Sequence, residues 1–150
     1  MCSSDLIAGW TRSVFNLKVS GNSVDIGAAA PLFQLTLAGG GLLVTGTGAN
    51  LSVPVLSLGA EGFFNVAAGA DLTVSDAVIG GVPFTKAGAG SMTLAGKAYW
   101  SSSTMVSGGT LKVTADNAFP NFPTATTPTL QNLHVNYGAT LDLKIGRAHV

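Results

Sequence analysis

The stretch "GAGSMTLAG", residues 88–96, decides the fold. Three glycines bracket a run in which Met92 and Leu94 flank Thr93, and no catalytic side chain is in sight. Apolar and polar residues alternating with period two place Met92 and Leu94 on one face of a strand and Thr93 on the other. The glycines suit turns that need positive φ or a close approach of backbones. The stretch therefore reads as one course of a wall, with Met92 and Leu94 pointing in and Thr93 pointing out.

The same course recurs along the chain. A module Gly-[Ala/Gly]-x-Leu-x-[Val/Leu] occurs as GGGLLV (39–44), GANLSV (48–53), GADLTV (69–74), GGTLKV (108–113) and GATLDL (138–143), with GSMTL (90–94) as a looser copy. Its first apolar residue falls at Leu51, Leu72, Met92, Leu111 and Leu141, in steps of 21, 20, 19 and 30. The long step contains "FPNFPTATTP" (119–128), which reads as a loop of about ten added residues and restores a period near 20 when removed. A second column follows two residues on, at Val53, Val74, Leu94, Val113 and Leu143, and the residues between the columns are Ser52, Thr73, Thr93, Lys112 and Asp142. A second strand per period is expected at 63–66, 83–86, 103–106 and 133–135, and "FNLKV" (15–19) and "FQLTL" (33–37) alternate likewise.

A unit of about 20 residues with two or three short strands cannot bury its apolar face alone; stacked turns of a coil can. The expected fold is therefore all-β, a parallel β-helix solenoid of about 20 residues per turn, with like residues from successive turns stacked inside. A β-sandwich or antiparallel barrel explains the alternation but not the columns in phase at this period.

Composition narrows the function. Only 9% of the 150 residues are charged and the formal net charge is zero, against roughly 25% charged in an average soluble domain. With no basic run, a nucleic-acid partner is not expected, because such affinity rests on cations neutralising phosphates. No apolar stretch approaches the ~18 residues of a membrane span, so membrane insertion by this segment is not expected. Glutamate occurs once, at Glu61, and strong helix formers are scarce.

The first six residues, "MCSSDL", and the last six, "IGRAHV", continue neither neighbouring pattern. Both can be encoded by reverse-complementary DNA resembling a short-read sequencing adapter, with GTG as start codon. Residues 1–6 and 145–150 are therefore expected to be translated adapter and 7–144 the genuine β-helix segment of a longer reading frame. Setting them aside removes Cys2 and His149, leaving no cysteine and one histidine, His134. No disulfide framework, thiolate or cysteine metal site is then expected.

Residues 66–113 resemble the autotransporter-associated β-strand repeat, also called the passenger-associated transport repeat. The resemblance lies in "GADLTV", in Phe84-Thr85-Lys86-Ala87-Gly88-Ala89-Gly90 and in Gly108-Gly109-Thr110-Leu111, with "GATLDL" (138–143) standing where a further strand usually follows. The middle departs from the pattern: Ala98 and Tyr99 stand where Asn and Thr are usual, Trp100 where Tyr is, and Ser102-Ser103 where Gly-Gly is. The resemblance implies a right-handed β-helix in a secreted or surface-displayed bacterial protein. It further implies an extracellular or outer-membrane-associated location, a stalk or adhesion role, and association with export. An outer-membrane translocation barrel elsewhere in the full-length protein, and a host-surface or polysaccharide ligand bound by it, are the partners implied.

Chemistry is sparse. Asp71, Asp76, Asp116 and Asp142, with Lys86 and Lys112, are the candidates for polysaccharide cleavage on an outer face. A glycosidase needs paired carboxylates ~5–10 Å apart, and no two of these aspartates share a column in adjacent turns. "GADLTVS" does not repeat an aspartate set of calcium-roll type, "TADNAF" (114–119) is a single Asp-Asn turn, and His134 lacks a second ligand at metal spacing. Gly88-x-Gly90 leads into a strand, not the helix a phosphate cradle needs. Tyr99-Trp100 reads as corner packing, with sugar stacking as the alternative. Asn50-Leu51-Ser52 matches a glycosylation sequon by chance, because Leu51 belongs to a core column. The expectation is no catalytic residue, no cofactor and no metal, with no ligand-binding residue assigned. The alternatives are part of a carbohydrate-active β-helix whose catalytic residues lie outside this segment, or a β-sandwich binding module.

Overall fold

A computed structural model describes residues 11–27, 34–100, 102–114 and 132–144, with the backbone alone for Tyr99 and Trp100. The segments 1–6 and 145–150, the loop 119–128 and Asp116 lie outside the described residues. The chain is an all-β solenoid of stacked parallel strands, with about 22 residues per turn. Every strand pairing among the described residues is parallel. That rules out the sandwich, which needs antiparallel neighbours. Among the described residues, no helix is long and apolar enough to cross a membrane.

Each complete turn carries three strands, so the coil has three faces. The first face holds the opening halves of β1 (Thr11–Val19) and β3 (Gln34–Val44), then β5 (Val55–Leu58), β8 (Ala77–Gly80) and β11 (Ala98–Trp100). The second holds the closing halves of β1 and β3, then β6 (Gly62–Val66), β9 (Phe84–Ala87), β12 (Thr104–Val106) and β14 (Leu133–Val135). The third holds β2 (Asp25–Gly27), β4 (Ala49–Ser52), β7 (Asp71–Val74), β10 (Ser91–Leu94), β13 (Thr110–Val113) and β15 (Thr140–Leu143). β3 serves two faces because it bends at Gly40, whose φ of 71° only glycine adopts freely and whose Cβ would strike the Glu61 carbonyl. In β1 the matching bend is a bulge, where Phe15 alone stands opposite three residues of β3.

The sequence periodicity sees the second and third faces and, of the first, only the opening half of β3 in "FQLTL" (33–37). Strands β5 and β8 follow the third-face strands after gaps of two residues without glycine, and β11 after three residues that include Gly96, so each pair reads as one continuous run. GGGLLV (39–44) is a second-face strand with the module's spelling, not a copy of the third-face course.

Stacking is as expected from Leu72 onward. Leu72 pairs with Met92, Met92 with Leu111 and Leu111 with Leu141; Val74, Leu94, Val113 and Leu143 stack beside them. Leu72, Met92, Leu94 and Leu111 are buried. The first step is corrected: Leu51 lies against Val74 and Ala49 against Leu72, a step of 23 and not 21. A slip of two keeps every side chain on its face, so periodicity alone cannot detect it. Asn50, not Ser52, consequently stands in the outer row with Thr73 and Thr93. Below it Asp25 stacks on Asn50, a step of 25, and these longer early turns raise the period above 20.

The other faces fill the tube. Leu35, Leu56, Val78 and Ala98 form one column, and Leu42, Phe64, Lys86, Val106 and Val135 another. The Phe84 ring fits because its neighbours are small, Gly62 on one side and Thr104 on the other. A Cβ at Gly62 would lie 2.9 Å from that ring. Phe84 meets Phe64 edge to face with centroids 5.1 Å apart, a favoured aromatic geometry.

Candidate functional site

The corner between the second and third faces is where the chemistry of this chain gathers. Each turn rounds it with one residue in the left-handed region: Ser23, Gly48, Gly69, Gly88, Gly109 and Gly138. In the deciding stretch only Gly88 has positive φ. Gly90 and Gly96 are required by space instead, since a Cβ would meet the carbonyls of Ala67 and Asp76 respectively.

Lys86 sits inside this corner. It is the only charged residue buried among the described residues, with 0% relative exposure. Its Nζ donates to the carbonyl oxygens of Ala87 at 3.0 Å, Gly88 at 2.8 Å and Gly108 at 2.9 Å. Strand alternation explains the placement: Phe84 and Lys86 point inward, and Thr85 points outward to donate to Glu61 Oε1 at 3.1 Å. The aliphatic stem stacks between Phe64 and Val106, and the ammonium reaches past them to the bend. Burial pushes the amine down to about 8 from its ordinary 10.5. The three carbonyls match the three N–H donors of the charged form, which a neutral amine cannot supply. Lys86 is thus withdrawn from the outer-face candidates, because no substrate can reach it.

The remaining candidates do not converge. Asp71 Oδ2 accepts from the Gly48 amide at 3.0 Å, Asp76 is exposed beside β8, and Asp142 faces Lys112 at 4.0 Å in the single ion pair among the described residues. No group of three or more His, Cys, Asp or Glu that could hold a metal is present among the described residues. His134 is exposed on β14. Asp25 Oδ1 accepts from Asn50 Nδ2 at 3.2 Å and from Ser52 Oγ at 2.8 Å, and Asn50 Oδ1 accepts from Ser75 Oγ at 2.8 Å. These outer polar groups bond one another across turns.

No family model, curated protein or solved structure matches the chain.

The site is therefore read from geometry. Sequence reasoning considered Lys86 and placed it on the wrong side of the strand. The signal that locates it is parity: Lys86 is two residues from Phe84 in a strand, hence on the same face.

Proposed function

We propose that the chain is a structural β-solenoid segment of a secreted or surface-displayed bacterial passenger, a stiff stalk that carries adhesive or enzymatic parts away from the cell. The observation that carries this reading is the unbroken run of interior columns through consecutive turns. Parallel backbone pairing continues along all three faces, and outer polar groups such as Asp25, Asn50, Glu61 and Asp142 are engaged with neighbours one turn away. Such a tube resists bending because each turn is tied to the next by hydrogen bonds on every face. The resemblance of residues 66–113 to the passenger-associated transport repeat supports the same reading, and suggests that coil growth outside the cell helps draw the chain outward. A translocation barrel elsewhere in the full-length protein, and a host-surface or polysaccharide ligand, belong to this proposal.

The test is surface display. The chain is placed behind a secretion signal and ahead of an outer-membrane barrel, with and without residues 66–113. The intact version should reach the surface and resist added protease, and the deletion should lose both properties. Equal display and equal resistance in the two versions would refute the role in export.

A further inference from the structure

The second-to-third-face corners are closed in different ways. At 67–70 and 136–139 the corner closes itself, Ala70 N–H donating to the Ala67 carbonyl and Ala139 N–H to the Asn136 carbonyl, each at 3.0 Å. At 88–90 and 107–109 one carbonyl of each, that of Gly88 or Gly108, accepts a hydrogen bond from Lys86. One ammonium thus ties two successive corners together. A part-buried carbonyl that loses its donor is destabilising to the extent that water does not replace it, so both corners depend on the same side chain.

We infer that Lys86 is a latch between turns: its ammonium closes the corners at 88–90 and 107–109 together, so the turns that contain them open and close as one cooperative unit. Half of the latch is local, since Ala87 and Gly88 adjoin Lys86 in sequence. The other half, Gly108, arrives only when the next turn has stacked. The third hydrogen bond therefore forms last and reports that β10, β12 and β13 are in register on β7 and β9. A lysine at this position needs no partner carboxylate, and any apolar residue of similar length would fill the column without reaching both corners.

Hydrogen exchange on the full 150-residue chain tests the latch. In the unmodified protein the amides leaving the two corners, Ser91 (donating to Ala70) and Thr110 (donating to Gly90), should exchange with one shared opening equilibrium. In Lys86→Met both should lose protection by roughly tenfold to hundredfold, the size expected when the Ala87, Gly88 and Gly108 carbonyls lose their shared donor, while Gly59 N–H, bonded to Leu37 in an earlier turn, keeps its own. Unchanged protection in Lys86→Met, or an equal loss at Gly59, would overturn the inference, as would separate openings of the two corners in the unmodified chain. If Lys86→Met does not fold, the unmodified chain decides: one shared opening of Ser91 and Thr110 supports the latch, and separate openings remove it.

Discussion

At the scale of single residues, glycine does two separable jobs at the corner between the second and third faces. Gly69 has φ of 75° and open space where a Cβ would stand, whereas Gly88 has φ of 76° and the Val66 carbonyl and Asn65 amide in that space. Gly69→Ala should therefore cost only the left-handed strain of a residue with a Cβ, about 1 kcal/mol. Gly88→Ala adds a steric collision with backbone and should cost about 2–5 kcal/mol. Urea denaturation of the two variants checks the order, and equal losses would mean that conformation alone governs the corner. Glycines at such positions are visible in a sequence because few residues substitute well, and Ser23 alone among the described corners takes the place of one. The role of Lys86 was not visible, because one of its partners, Gly108, lies 22 residues downstream and comes near only through the coil.

Strands were legible to the degree that their two faces differ. β7, β10 and β13 read clearly, since each places a polar residue between two buried aliphatic ones. β9 is buried along its whole length, so no exposed face marks its direction, and the parity of Phe84 and Lys86 is the one signal left. The pairing of β4 with β7 slipped by two residues because both registers bury the same face and only corner lengths choose between them. Stacking makes an interior residue's worth depend on having a turn on each side. Leu111 has Met92 on one side and Leu141 on the other and is fully buried, while Leu141, in β15, is only partly buried. Leu111→Ala should cost about 2–5 kcal/mol and Leu141→Ala less than about half of that, by the lost transfer and cavity terms. Comparable losses in thermal or urea unfolding would show that β15 is covered as fully as the inner turns.

For the molecule as a whole, the same dependence on neighbours defines the two ends of the described coil. Leu133 and Val135 pair with the buried Thr104 and Val106, so they lie in interior columns, yet both are 43% exposed, and Leu143 is 40% exposed. At the other end β1 is exposed along most of its length. Both edges present parallel backbone groups with apolar side chains behind them, the arrangement that recruits another strand. The period that places strands of successive turns in register also places a second copy's turn in register, so end-to-end contact extends the coil and does not close it. The isolated chain should therefore form concentration-dependent oligomers by light scattering. Val135→Lys together with Leu143→Lys should shift it toward monomer, because stacking would then bury two unpaired charges. A monomer at high concentration before any substitution would mean that both edges are covered, and the coil would then be a finished body and not a segment open to extension.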